Sequence, residues 1–431
     1  MQADGLPRSL MTKERKYLLL LLIAFVIPLL ALGLFNAVID PHRFFNLVSI
    51  KGVNEYKTYV TKMRLRKPIH IYQRKPTILI MGSSRAGGGL HCEDFTPKVN
   101  ECYNSALRGI TTYEQYRLLE HAITVADAAD KKIERVVLKL SYATFTETDL
   151  TKEGFEEVLA AHEGEGISFS LRKAVFEKYL YALFSWEAFT DSRMTVEYQD
   201  KSYGWRATGV WNFEEDGSWK TYVLPRFKND PERLYTNRSK QWGSSVNAMV
   251  GQFSELKRQI DTHASFEQSY QDFSRLLDLA YRHHIALDIM FSPEHADYLQ
   301  LMDEAGIWPS MEEWKRRMIA MNERIAAEHH ATPYRVWDFS GFNQYSTEPT
   351  WDQLSIGQSM QWYEDIVHFQ GSLGALMLAA VRDNQTQGSW FETVDSHNIE
   401  KHLEKIRHDK DQYVKMHPAR PIKNERDKDA I

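Results

Sequence analysis

The sequence predicts an α/β fold: a parallel sheet flanked by helices, preceded by one N-terminal transmembrane helix and carrying an aromatic-rich insertion. Three observations carry this. Short apolar runs rich in branched residues, at about 77–82, 135–140 and 286–291, end in turn residues, and helical stretches at about 112–129 and 266–284 precede the second and third of them. Residues 17–39 form an uncharged, Leu-rich run of 23, long enough to span a bilayer as a helix. From about 150 to 250 the strand–helix rhythm breaks and aromatic residues accumulate.

In chain order, residues 1–16 read as a cytoplasmic N-terminus and 17–39 as a signal anchor, with Pro28 tolerated as a kink. Arg8, Lys13, Arg15 and Lys16 precede the span, whereas only Arg43 and Lys51 follow it closely, so the remainder is expected outside the cytoplasm. A cleaved signal peptide is the competing reading, disfavoured by the length of the apolar stretch. Residues 40–75 read as a juxtamembrane connector, and 76–385 as the α/β domain. Cys92 and Cys102 both fall on the exported side, where a disulfide and a pair of buried thiols are both open readings.

The first strand runs into Ile78-Leu-Ile-Met-Gly-Ser-Ser-Arg85, which sets Ser83 and Ser84 where a buried strand leaves the sheet, the edge at which open α/β sheets carry their chemistry. A short strand through Tyr103 leads to Gly109, and the strand at 135–140 ends at Ser141 and Tyr142. Within the insertion, Val210-Trp-Asn-Phe213 and Lys220-Thr-Tyr-Val223 read as a hairpin turning at Asp216-Gly217, and Trp205, Trp211 and Trp219 are taken mainly as core packing. This segment is placed over the active-site face, to select substrate or dock a partner.

The strand at 286–291 runs into Ser292-Pro-Glu-His295, so Arg85, Glu294 and His295 are candidate substrate contacts at one edge. Ser310-Met-Glu-Glu313 reads as a capping box opening a helix to about 327, and 334–339 as the last strand. Asp365 and His368 stand three residues apart before a helix expected at 373–382. A serine nucleophile needs a base and a carboxylate to orient it, and Asp-x-x-His supplies both. His91 is a rival base and Asp338 a rival carboxylate. Residues 386–431 are densely charged and read as a helical or disordered tail.

Gly-Ser-Ser on the first strand with Asp-x-x-His before the last helix resembles the SGNH (GDSL-like) hydrolase superfamily. With a single N-terminal anchor it is most similar to the branch that includes DltD and periplasmic polysaccharide O-acetylation proteins. The resemblance spans roughly residues 76–385. It implies an SGNH-like sheet, Ser84 as nucleophile, His368 as base and Asp365 as its partner, with the Ser84 and Gly109 backbone amides as an oxyanion hole. Ser83 stands where many members have Asp, and the residues alone do not choose between the two serines. The third-block Asn of the family is not found, and Asn104 is the nearest substitute.

The resemblance implies an O-acyltransferase, with acetyl the acyl group. It would act on an envelope or exported polysaccharide at the bacterial inner membrane, with its catalytic domain periplasmic and a membrane-bound O-acyltransferase on the donor side. An anchored carbohydrate or lipid esterase and a non-catalytic glycan-binding or assembly protein are the alternatives. The net charge of −5 provides no basic field for nucleic acid, and no P-loop, dinucleotide fingerprint or zinc spacing occurs, so no metal or cofactor is expected.

Overall fold

The computed structural model describes residues 13–57, 62–199, 209–223, 225–262 and 266–417. Helix α1 (Lys13–Ile39) and α2 (Met63–Arg74) precede β1 (Ile78–Met81), α3 (Ser84–Gly89), α4 (Cys92–Phe95), β2 (Cys102–Asn104), α5 (Thr112–Asp127), β3 (Arg135–Leu140) and α6 (Tyr142–Phe145). Next come α7 (Phe169–Phe184), α8 (Trp186–Glu197), a hairpin of β4 (Gly209–Phe213) and β5 (Trp219–Val223), α9 (Pro225–Lys228) and α10 (Pro231–Asp261). The chain continues with α11 (Glu267–Arg282), β6 (Ala286–Phe291), α12 (Ala296–Glu304), α13 (Trp308–Glu328), β7 (Val336–Asp338), α14 (Gly371–Arg382), β8 (Glu392–Thr393) and α15 (Ile399–Met416).

The main sheet has the order β2-β1-β3-β6-β7-β8, parallel except that β8 runs antiparallel to β7. All four residues of β1 are buried, as a strand covered on both faces requires. Met81 pairs with Leu138, Leu140 with Phe291, and Phe291 with Asp338, so the residues after β1, β3, β6 and β7 leave at one sheet edge. Helix α1 is long and apolar enough to cross a membrane. Trp205 lies outside the described residues.

Several expectations give way to tertiary packing. Residues 40–75 are more than a connector, because α2 carries eight buried residues, and its buried Lys67 donates to the Asn104 and Gly217 carbonyls. The long helix α10 was unforeseen, although Asp230 caps it through Arg233 N and Pro231 opens it, a start signal readable in the sequence. Helix α13 starts at Trp308 rather than at a Ser310 cap, and Ser310 Oγ is instead 2.6 Å from Tyr142 Oη.

The strand at β7 is not the last, and the charged tail does not begin at 386. Ile399, Leu403 and Ile406 of α15 are buried in the main core. Its His402 Nε2 lies 3.0 Å from Asp338 Oδ2, which also accepts from Lys315 Nζ at 2.6 Å. Three apolar anchors suffice because a buried ion cluster pins the helix beside them. Asp338 is held well below the usual carboxylate range by Lys315 and His402, which outweigh its burial.

Cys92 and Cys102 form a disulfide joining α4 to β2, and both are fully buried. The pair closes a loop with a sequence separation of 10. Replacing both by alanine is expected to lower unfolding free energy by about 3 kcal/mol in urea denaturation, through entropy returned to the unfolded chain.

Candidate functional site

The site starts at a turn that only glycine satisfies. Gly82 has φ 149°, and a Cβ there would come within 2.8 Å of the Lys139 carbonyl oxygen and 2.9 Å of Ala86 Cβ. β1 can therefore pass into α3 without a bulge, with Ser83 at the N-cap and Ser84 as the first helical residue. The side chain of Ser84 faces His368, its Oγ 2.9 Å from Nε2.

His368 Nδ1 lies 2.9 and 3.0 Å from the two oxygens of Asp365. Asp365 Oδ1 also accepts from the backbone N–H groups of Val367 and His368, at 2.9 and 2.8 Å. The buried carboxylate thus shapes the loop and fixes the ring that completes it. With Nδ1–H donating to Asp365, Nε2 carries the lone pair that accepts from the Ser84 hydroxyl. A hydroxyl bonded to an imidazole whose far nitrogen rests on a carboxylate is the arrangement that activates oxygen as a nucleophile.

The two serines have separate partners. Ser83 Oγ accepts from Lys139 Nζ at 3.2 Å, whereas Ser84 meets the histidine. Lys139 is almost fully buried on β3, and burial, reinforced by the nearby Arg85 cation, pushes its amine well below the ordinary lysine value. It is a site residue that sequence reading missed. The signal was present as a lone lysine in Val-Val-Leu-Lys-Leu, a run otherwise suited to a strand buried on both faces.

Arg85 braces the histidine loop. Its Nε donates to the Val367 carbonyl at 2.9 Å, Nη1 is 3.3 Å from Glu294, and the guanidinium lies 5.0 Å from the Tyr298 ring centre. Of the expected substrate contacts, Arg85 also lines the cavity that holds Ser84, whereas Glu294 and His295 are positioning groups. Glu294 is spent on Arg85, and burial raises its carboxyl. His295 is buried at the N-cap of α12, with Nδ1 accepting from Asp297 N and Nε2 3.0 Å from the Glu348 carbonyl. Glu348 in turn accepts from Trp362 N and Tyr363 N at 3.1 Å, so this histidine supports the loop from behind.

Asn104 is corrected in the same way. Its Nδ2 donates to the Ala86 and Leu90 carbonyls at 3.0 and 2.8 Å, and Oδ1 accepts from Ala106 N at 3.0 Å, so the buried side chain ties down the middle and the C-cap of α3 and faces no substrate. His91 is also buried, its Nδ1 2.9 Å from Ser218 Oγ, and it takes no part beside Ser84. Gly109, with φ 53°, shares a cavity with Ser84, and Arg64 Nη2 holds its carbonyl at 3.1 Å. The Ser84 amide, in the first turn of α3, has no intrahelical acceptor.

That cavity measures about 1660 Å³. One wall carries Ser84, His368 and Gly109, and the other is α10, which contributes Asn237, Gln241 and Gln252. Gln241 is buried, and neither atom of its amide has a partner among the described residues. The β4–β5 hairpin covers the serine helix from outside, where Gly87 and Gly88 leave room for the Trp219 ring. Trp219 is thus core, as the sequence suggested. No protein-family model matches this chain, and no curated protein is significantly similar to it in sequence.

Proposed function

We propose that this chain is a membrane-anchored, extracytoplasmic serine acyltransferase of SGNH type. It moves an acyl group, acetyl by the resemblance, onto an envelope or exported polysaccharide, and a membrane-bound O-acyltransferase of the bacterial inner membrane supplies the acyl group. The observation that carries this reading is the continuous relay from Ser84 Oγ through His368 to Asp365. The buried Cys92–Cys102 disulfide supports an exported, oxidising location.

In this reading Ser84 Oγ attacks the acyl carbonyl as its proton passes to His368 Nε2. The leaving group of the donor departs with that proton, and an ester on Ser84 remains. An acceptor hydroxyl then attacks the ester, gives its proton to Nε2 and leaves acylated, while Ser84 recovers the proton. The backbone amides of Ser84 and Gly109 would stabilise the oxyanion, each donor contributing about 3 kcal/mol in comparable sites. The acceptor side is supported by the amide-bearing α10 wall, where the unpartnered Gln241 offers both a donor and an acceptor to a sugar hydroxyl.

The test is incubation of the detergent-solubilised full chain with a fluorophosphonate and with p-nitrophenyl acetate, read by intact mass. A single adduct on Ser84 is the expected result, and a folded protein that takes no adduct would sink the reading. Release of the acetyl group to water alone, unaffected by added glycan, would make the protein an esterase. Arg85→Met removes the brace under Val367 without altering Ser84, His368 or Asp365 chemically. It is expected to slow fluorophosphonate labelling about 100-fold, because small misplacements of a reacting group cost that much.

A further inference from the structure

A second surface, beside the exit of α1, has a composition that water does not explain. Leu47, Val48 and Ile50 are 63%, 45% and 40% exposed, and Trp186 at the α7–α8 corner is 75% exposed. The Asn54 side-chain amide donates to the Val38 carbonyl of α1 at 2.6 Å and to the Val48 carbonyl at 3.0 Å, while its Oδ1 accepts from Ile50 N at 2.6 Å. The apolar loop is therefore clamped to the last turn of α1.

Trp186 is tied to the same helix from another side. Its ring packs tilted against Phe189 at 5.0 Å, Phe189 meets Phe35 of α1 at 5.7 Å, and Asn36 Nδ2 donates to the Leu183 carbonyl at 2.8 Å. Phe184 covers Gly33, where a Cβ would collide with its ring. The two attachments, at Phe35 and Val38, differ by three residues, about 4.5 Å along the helix axis. Loop and corner thus attach within one turn of each other near the end of α1, whose Leu30 and Leu34 are also exposed.

We propose that Leu47, Val48, Ile50 and Trp186 form a collar that beds in the headgroup–acyl boundary of the bilayer, an inference that rests on reading α1 as the membrane anchor. If α1 spans to Ile39, a residue level with Phe35 lies within the interface, where tryptophan is favoured. The collar turns a single flexible anchor into a seat with fixed orientation. It also brings the cavity to the membrane. Lys62 pairs with Glu187, next to Trp186, and donates to Tyr181 Oη at 2.8 Å, and two residues on Arg64 lines the cavity and holds the Gly109 carbonyl. The acyl donor is accordingly one presented at the bilayer surface.

The chain's two cysteines are locked in a disulfide, so a single added cysteine can be labelled selectively. Leu47→Cys, Trp186→Cys, Phe25→Cys on the anchor, and Glu404→Cys on α15, beyond the opposite edge of the sheet from α2, would each carry an environment-sensitive fluorophore. The full chain would be reconstituted in phosphatidylcholine–phosphatidylglycerol vesicles with spin-labelled lipids. Expected are blue-shifted emission at 47 and 186 and several-fold stronger quenching there than at 404 by a label near the headgroups, with position 25 quenched best by a deep label. Emission at 47 and 186 matching 404 while 25 is quenched would overturn the collar and leave the anchor standing. Absence of quenching at 25 would remove the anchor and the collar together.

Discussion

Ser84→Ala is expected to abolish covalent labelling by a fluorophosphonate and to cut acyl transfer from p-nitrophenyl acetate by about a millionfold, the loss seen when a serine of such a relay is removed. Ser83 meets Lys139 and not the Asp365-oriented histidine, so with the nucleophile assigned to Ser84, Ser83→Ala should keep the adduct and most of the rate. A labelled Ser84→Ala protein, or a Ser83→Ala protein that fails to label, would reassign the nucleophile. The change at Ser84 removes only a half-buried, cavity-facing hydroxyl at a helix start, so folding is expected to be intact and the comparison direct.

Asp365→Asn is expected to lower the labelling rate by about ten thousandfold while sparing reagent binding. The carboxylate accepts from His368 Nδ1 and from the N–H groups of Val367 and His368. An asparagine keeps one acceptor for the backbone but can turn its amide toward Nδ1. Nδ1 must then accept, which moves the ring proton to Nε2 and takes away the lone pair that Ser84 needs. Single-turnover labelling at saturating reagent separates this from weakened binding. Asp338→Asn serves as the contrast, since Asp338 sits with Lys315 and His402 rather than in the relay, and its effect should fall on stability. A labelling loss at Asp338 equal to that at Asp365 would contradict the assignment.

Legibility followed the range of the forces involved. The strands at β3 and β6 were readable to the residue, because a strand buried on both faces writes a mostly apolar run, broken here only by Arg135 and Lys139 in β3 and Asp288 in β6. The hairpin around Asp216-Gly217 was readable from its turn. The Asp-x-x-His loop was readable because both partners lie on one turn of chain. Failure was concentrated where a polar residue's role depended on a distant neighbour. His295 and Glu294 do leave at the active edge, but one caps α12 and the other neutralises Arg85. Asn104, next to the expected oxyanion block, proved to be a clip for α3.

By itself, then, the sequence determined the α/β class, the apolar N-terminal span and the short list that contains Ser84, Asp365 and His368, since these follow from periodicity and from spacing along the chain. Only the tertiary structure decided that Ser84 rather than Ser83 meets the histidine, across a separation of 284 residues. It likewise decided that α15 packs into the core and that α10 walls the cavity. Those outcomes are set by contact geometry between segments remote in sequence, where a shift of an ångström exchanges one hydrogen-bond partner for another and leaves no periodic trace in the residues themselves.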